Sequence, residues 1–384
     1  MIPTSLLHRC DSTDESARWV SSGLTRSLLC SEAMLRRSPL ARARRSASSI
    51  ALVVAACTST EPSTTPGDAE PHAGFARPSV RVVGRHVEID GEVLEVRGVD
   101  WNPVPRGGSH PADLDYAGAV ELDATLMAEA GIDAVRSFEP ITDRAVLDAL
   151  HARGIRVLNT IYPSAWTDVE TAEGWVRALG DHPAIIMWVI GNEWNYNGLY
   201  AGLSLAESIE RVEAVAAAVR ALDDRPVMTI YGGLPPPEVI DALPSVDVWG
   251  FNIYTGLDFA GAFDTWAARS DKPMVITEYG ADAFDTTQGA PNLEAQAEAV
   301  GRLTQIVLEQ HVSRGGVSTG GLVFEWNDEW WKDASGSPAV QDDTGIAPGG
   351  GPHPDGVFNE EWWGLVDIDR NPRPALDRLR ELYR

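Results

Sequence analysis

The chain has 384 residues, a hydrophobic content of 44% and a formal net charge of −25, so it can bury one large core. The acidic excess argues against nucleic acid or an anionic membrane surface as partner, because both call for clustered Lys and Arg. Three cysteines (Cys10, Cys30, Cys57) and eight histidines without His-x-His or His-Glu-x-x-His spacing leave no metal motif of the usual kind.

At the amino terminus, Arg36, Arg37, Arg42, Arg44 and Arg45 precede the apolar stretch Ile50–Ala56, which ends at Cys57. A basic segment, a short apolar segment and small residues before a cut predict an export signal over residues 1–56. The apolar stretch is too short to span a bilayer. Met34 would begin a signal of ordinary length. Val54-Ala55-Ala56-Cys57 resembles the bacterial lipobox, which implies lipidation of Cys57 in a cell-envelope lipoprotein. Plain cleavage nearby, giving a secreted protein, is the other reading. Removal of residues 1–56 would leave Cys57 as the sole cysteine and no internal disulfide. Residues 57–76, rich in Ser, Thr and Pro, read as a flexible linker with little to bury.

A single domain is expected over 77–384. Val80–Val83 and His86–Ile89 flank a Gly84-Arg85 turn, and Asp90-Gly91 leads on to Val93–Val96. This pattern predicts a small β lead-in that plugs the bottom of a barrel. Apolar runs then alternate with helical patterns. The expected strands are Val96–Trp101, Ala134–Phe138, Arg156–Tyr162, 185–193, Val227–Tyr231, Val246–Tyr254, 274–279 and Gly321–Trp326. The clearest helix covers 204–222, with Leu205, Ile209, Val212, Val215, Ala216, Val219 and Leu222 on one stripe. Ser204 and Glu207 have capping-box spacing at its start. The last helix is expected over Arg373–Tyr383. Eight β-then-α units predict an α/β (β/α)₈ TIM barrel rather than an open doubly wound sheet.

Chemistry in such a barrel belongs at the carboxyl ends of the strands. Two glutamates stand there, Glu193 in Gly191-Asn192-Glu193-Trp194 and Glu278 in Thr277-Glu278-Tyr279-Gly280. A carboxylate at the end of a buried run is costly without partners and a purpose. Around them fall Trp101, Arg136, Glu139, Tyr162, Asn192, Asn252, Tyr254 and Trp326. Carboxylates, amides and aromatic faces suit sugar hydroxyls and sugar rings. Single residues keep open alternatives: Arg136 paired with Glu139, Tyr254 as rim packing, Trp326 as core filler. Trp188 and Trp249 sit inside buried runs and read as core.

The order Arg at strand two, Asn-Glu at strand four, Tyr at strand six, Glu at strand seven and Trp at strand eight resembles glycoside hydrolase clan A over residues 80–384. Thr277–Asp282 and the lead-in Ile89-Asp90-Gly91…Val96–Trp101 resemble most the family 2 catalytic domain. Similar strings occur in β-1,3-glucanosyltransferases and family 5 glycanases. Unlike typical family 2 chains, this one has only ~20 ordered residues before the barrel on this reading.

The resemblance implies a retaining glycosidase of β-linked glycans, with Glu278 as nucleophile and Glu193 as acid/base. It further implies Asn192 on the 2-hydroxyl, Arg136 and Tyr254 on Glu278, and Trp326 beneath the sugar. Asn252, Trp101 and Tyr162 complete the expected substrate-binding set. No cofactor and no metal are expected, with an oligo- or polysaccharide as partner, a monomer, and membrane contact only through the lipid anchor that the Val54–Cys57 string implies. Transglycosylation with the same residues, and a silent glycan-binding lipoprotein, are the alternatives. The long segment from Lys332 to Trp362 is read as a lid that builds leaving-group or acceptor subsites, with Trp362 and Trp363 either as platforms or packed beneath the last helix.

One expectation concerns Cys57 alone. Stable anchoring takes more than one acyl chain, so Cys57→Ala should move the protein from the membrane fraction to the soluble fraction. A wild-type protein that is already soluble, with an amino terminus other than Cys57, would contradict the lipobox reading.

Overall fold

The computed structural model describes residues 76–332, 336–347 and 351–384. The expected signal segment, Cys57 and all but the last residue of the expected linker lie outside the described residues.

Three short antiparallel strands, Val80–Val83, His86–Ile89 and Glu92–Val93, form the lead-in sheet. Asp90 and Gly91 turn the chain between the second and third with φ of 53° and 88°, a conformation glycine adopts at little cost. The chain then runs directly into the barrel.

Barrel strands one to eight are Val96–Asp100, Ala134–Arg136, Arg156–Tyr162, Ile185–Ile190, Val227–Gly232, Val248–Asn252, Met274–Tyr279 and Ser318–Val323. Each pairs in parallel with its neighbour. Strand eight closes the ring on strand one, with Gly320 opposite Val96 and Val323 opposite Val99. The expected (β/α)₈ barrel is therefore the fold.

The apolar runs read as buried strands because both of their faces are covered. On strand four, Met187 and Val189 join the inner cluster. Trp188 and Ile190 join the layer beneath the helices. The inner cluster also takes in Val80, Val87 and Leu94 of the lead-in, so that sheet caps the barrel interior at its amino end. Trp188 and Trp249 are core residues, each fully buried.

The helix after strand four spans Leu205–Arg220, and both capping-box bonds between Ser204 and Glu207 are formed. Val212, Val215, Ala216 and Val219 are buried on its inner side. The ends of the expected stripe, Leu205 and Leu222, are exposed, because they lie at or past the helix ends. The last helix is Pro374–Leu382. Among the described residues no helix is long and apolar enough to cross a membrane.

Strand eight differs most from expectation. It ends at Val323, three residues before Trp326. Beyond it the chain crosses the top of strand one, where the Trp326 N–H donates to the Asp100 carbonyl at 2.9 Å. The segment after it is tied down by a buried ion pair. Arg373 donates to Asp328 Oδ1 at 2.8 Å and Oδ2 at 2.6 Å, and to the carbonyls of Trp362 and Gly364. Trp362 donates to the Asp342 carbonyl at 2.7 Å and packs on Phe284, so it serves as packing. Trp363 is 1% exposed, yet its edge reaches the cavity described below.

Removing one partner of a buried pair strands the other charge. Arg373→Met should therefore cost about 3–5 kcal/mol in urea unfolding at pH 8. Burial already pushes the Asp328 carboxyl up to about 6. The deficit should shrink at pH 5, where Asp328 takes up a proton with or without the arginine. An equal deficit at both pH values would contradict this account.

Candidate active site

The site is built outward from Arg136, at the end of strand two and wholly buried. Its Nη1 donates to Asp100 Oδ1 at 3.0 Å, to Glu278 Oε1 at 2.9 Å and to the Thr277 carbonyl at 3.2 Å. Its Nη2 donates to Asn192 Oδ1 at 2.8 Å. One guanidinium thus ties the ends of strands one, two and seven to the turn after strand four. The alternative pairing with Glu139 is not made. Burial works against the arginine's charge, but Asp100 and Glu278 more than offset it, so its pKa lies above the usual value. Asp100 itself is pushed well up by its own burial, against the pull of Arg136.

Glu278, on strand seven, is 6% exposed and held at both oxygens. Arg136 takes Oε1, and the Tyr254 hydroxyl donates to Oε2 at 3.0 Å. Tyr254 follows strand six, so its hydroxyl role replaces the rim-packing alternative. Burial, then the charge of Glu278, raises the phenol well above its usual pKa. It therefore remains a donor.

Asn192 accepts from Arg136 and, at 3.1 Å, from Asn252 Nδ2. Its amide nitrogen is the remaining hydrogen-bonding end, and it already bonds to the Tyr200 hydroxyl at the cavity. Asn252 in turn accepts from Thr277 Oγ1 at 2.8 Å. Asn252 lines the cavity but is 4% exposed, and these bonds make it a strut between strands six and seven and the Asn192 turn.

Gly191, two residues before Glu193, has φ 69°, and Glu193 itself sits at φ 47°, ψ 33°. A left-handed conformation costs a non-glycine residue roughly 1–2 kcal/mol. It is maintained here by the short helix Trp194–Asn197, whose Tyr196 and Asn197 N–H groups bond to the Glu193 carbonyl. Burial first, and then the nearby charge of Glu278, push the Glu193 carboxyl up to about 8; Asn252 and Arg136 pull the other way. The two glutamates therefore face one cavity from unlike environments.

That cavity encloses about 1080 Å³ and is lined by Arg136, Asn192, Glu193, Asn252, Tyr254 and Glu278 together with parts the motifs did not single out. Phe324, Phe358 and Trp363 form an aromatic wall against Tyr254, with ring centres 5.2–6.4 Å away. Trp166, Tyr196 and Tyr200 line it too, at 76%, 58% and 55% exposure. Glu139, Glu329, Lys332 and Glu360 supply further charge. For Lys332 a signal existed: it is one of only two lysines and stands three residues after Glu329.

Three expected substrate contacts lie elsewhere. Trp101 is fully buried, donates from Nε1 to Asp123 at 2.9 Å and packs on Tyr116. Strand alternation turns it into the helix layer, while Asp100 and Asn102 face inward. Tyr162 is buried, and its hydroxyl accepts from Arg211 at 3.0 Å. The register of strands three and four shifts between Thr160 and Tyr162, and Thr160 reaches the cavity instead. Trp326 is core filler, because strand eight ends early and Phe324 occupies the cavity wall.

Residues 162–314 match the family model for glycosyl hydrolases family 2, TIM barrel domain, in accord with the resemblance read from the motifs. No curated protein matches the chain. Among solved structures, a β-galacturonidase of that family from Eisenbergiella tayi bound to galacturonate is 18% identical, with a TM-score of 0.57 over 80% of this chain and 54% of its own. A β-glucuronidase from Ruminococcus gnavus in complex with D-glucuronic acid is 15% identical, with a TM-score of 0.60 over 80% and 52%. The β-glucuronidase from Faecalibacterium prausnitzii gives 18%, 0.57, 80% and 51%. Likeness at these identities speaks for the fold, and the chain spans about half the length of these structures.

The electrostatics can be checked directly. Carboxyl-carbon NMR should find Glu193 titrating near pH 8. In Glu278→Gln, which removes the like charge and leaves Arg136 less neutralised, that titration should move down. An unmoved titration would show that Glu278 does not act on Glu193.

Proposed function

We propose that this protein is a retaining glycoside hydrolase of β-linked glycans, with Glu278 as nucleophile and Glu193 as acid/base. The observation that carries the reading is the division of labour between the two carboxyls. Arg136 and Tyr254 grip both oxygens of Glu278, while Glu193 is pushed up to about 8 beside it. A carboxyl that keeps its proton near neutrality suits a general acid, and one gripped at both oxygens in a fixed position suits a nucleophile. The family match over residues 162–314 supports the same reading.

Glu278 attacks the anomeric carbon as the bond to the leaving oxygen breaks, and Glu193 gives that oxygen its proton. The product is a covalent glycosyl ester on Glu278 and a free alcohol. Esterification removes the negative charge of Glu278, so of the two causes that raise Glu193, burial and that charge, the second is lost and its carboxylate becomes a competent base. It then takes a proton from water as the water attacks the same carbon, which releases the sugar and restores both residues. Asn192, with Oδ1 engaged, offers an amide hydrogen to the sugar's 2-hydroxyl. Arg136, Asn252 and Thr277 hold that geometry without waiting for substrate, which is the value of preorganisation.

Trp166, Tyr196 and Tyr200, exposed at the cavity, support a substrate with sugars on the leaving-group side, since aromatic faces stack on sugar rings. The same rim favours a second reading, transfer to an acceptor sugar by the same residues. A silent glycan-binding barrel has no use for the strained Glu193 or the doubly held Glu278. An anchor through Cys57 is proposed as the way the catalytic domain is retained at the cell envelope.

Activity should fall above pH 8, as Glu193 loses the proton it must donate. Glu278→Ala should abolish turnover, and azide should restore a product of inverted configuration. Glu193→Ala should keep its first step on aryl glycosides with good leaving groups, and azide should then give retained product. Swapped stereochemistry would exchange the two roles, and wild-type rates in both variants would place the site elsewhere.

A further inference from the structure

We infer that the pocket takes a neutral sugar and rejects uronic acids, and that Lys332, clasped by Glu325, Glu329 and Glu360, is the element that decides it. This rests on the glycosidase reading of the same site and names its substrate class.

A uronic acid carries a carboxylate, and a site for it must offer a cation or donors that are free to meet it. Among the described residues the cavity is lined by two permanent cations, Arg136 and Lys332. Neither is free. Arg136 spends both terminal nitrogens on Asp100, Glu278, Thr277 and Asn192, and its Nε is buried beyond reach. The Lys332 ammonium lies 2.6 Å from Glu329 and 3.7 Å from both Glu325 and Glu360, and 4.2 Å above the Phe324 ring. Glu329 is itself fixed by Asn102. Burial pulls the lysine's pKa down, but the three carboxyls more than offset it, so it stays charged. That charge is already matched by protein carboxyls. His110, the remaining basic side chain on the wall, is pushed below its usual pKa by burial and brings no positive charge at neutral pH.

Against those two cations stand five glutamates on the same wall: Glu139, Glu193, Glu278, Glu329 and Glu360. Burial alone pushes Glu139 up to about 7. It also raises Glu360, and Lys332 only partly opposes that shift. The cavity thus offers a ligand no unpaired cation, and carboxyls held protonated by burial mark a space that disfavours further negative charge. A uronate would add one more negative charge to a half-desolvated acidic space, and like charges brought together at an interface cost several kcal/mol. Neutral hydroxyls meet no such penalty, and carboxylates and amides accept and donate to them readily. The solved structures of similar fold include enzymes bound to galacturonate and D-glucuronic acid, but at 18% and 15% identity that likeness speaks for the fold and not for the substrate.

The test uses the full chain and two readouts. The first compares kcat/KM on aryl β-D-glucosides, galactosides and mannosides with that on the aryl β-D-glucuronide and galacturonide. The second measures Kd by calorimetry for neutral and uronic isofagomines in matched configurations, which needs no turnover. Neutral substrates and analogues should win by on the order of 100-fold or more. Glu360→Gln, which removes one carboxylate from Lys332 and from the wall, should narrow that gap about tenfold; rescue of the gap by Glu360→Asp separates charge from folding. Preferred hydrolysis or tighter binding of the uronic compounds overturns the inference and leaves the glycosidase reading standing. Binding of neither analogue overturns it as well. Tight neutral binding without hydrolysis of any aryl glycoside supports the inference and removes the glycosidase reading.

Discussion

Everything at the top of this barrel depends on one buried guanidinium. Arg136 has no exposed surface and makes four hydrogen bonds, to Asp100, Thr277, Glu278 and Asn192. A buried arginine is tolerable only when its charge and donors are matched, so the groups around it cannot drift apart. Strand ends that meet through parallel pairing alone would leave the two glutamates free to splay. The guanidinium sets Glu278 from one side and Asn192 from another. Since Asn192 immediately precedes Glu193, the same ion fixes where the Glu193 turn begins.

A second layer of constraint comes from the segment beyond strand eight. Asp328 and Arg373 pair in the interior, and the carbonyls of Trp362 and Gly364 share the same arginine. That pins the chain so that Trp363 and Phe358 stand against Tyr254 and Phe324. The aromatic wall excludes water from one side of Tyr254, which strengthens its bond to Glu278. The described part of the segment expected to be a lid building leaving-group or acceptor subsites forms part of the cavity wall.

Acidity runs through the molecule on two scales. The chain as a whole is at −25, and the cavity repeats the imbalance with five glutamates and two engaged cations. Long-range charge steers ligands and local charge selects among them. The protein answers its own crowding by letting carboxyls such as Glu193 hold protons near neutrality, which is the condition a general acid needs.

The sequence by itself determined the barrel, the strand count, the lead-in sheet and the two glutamates. These follow from local signals: apolar runs of strand length, a helical stripe with its cap, and Asn-Glu and Thr-Glu-Tyr-Gly at strand ends. It also placed Arg136, Asn192 and Tyr254 near the chemistry, because each stands at or just past the end of a strand. Only the tertiary structure decided which way the remaining side chains face. Trp101 turned outward by alternation, Tyr162 was redirected by a register shift, and Trp326 fell past an early strand end. A one-residue change in register or length exchanges inside for outside, and no local pattern reports it. The partners of Lys332, and the choice of Asp100 over Glu139 for Arg136, are contacts across long stretches of chain, so they exist only once the barrel has closed.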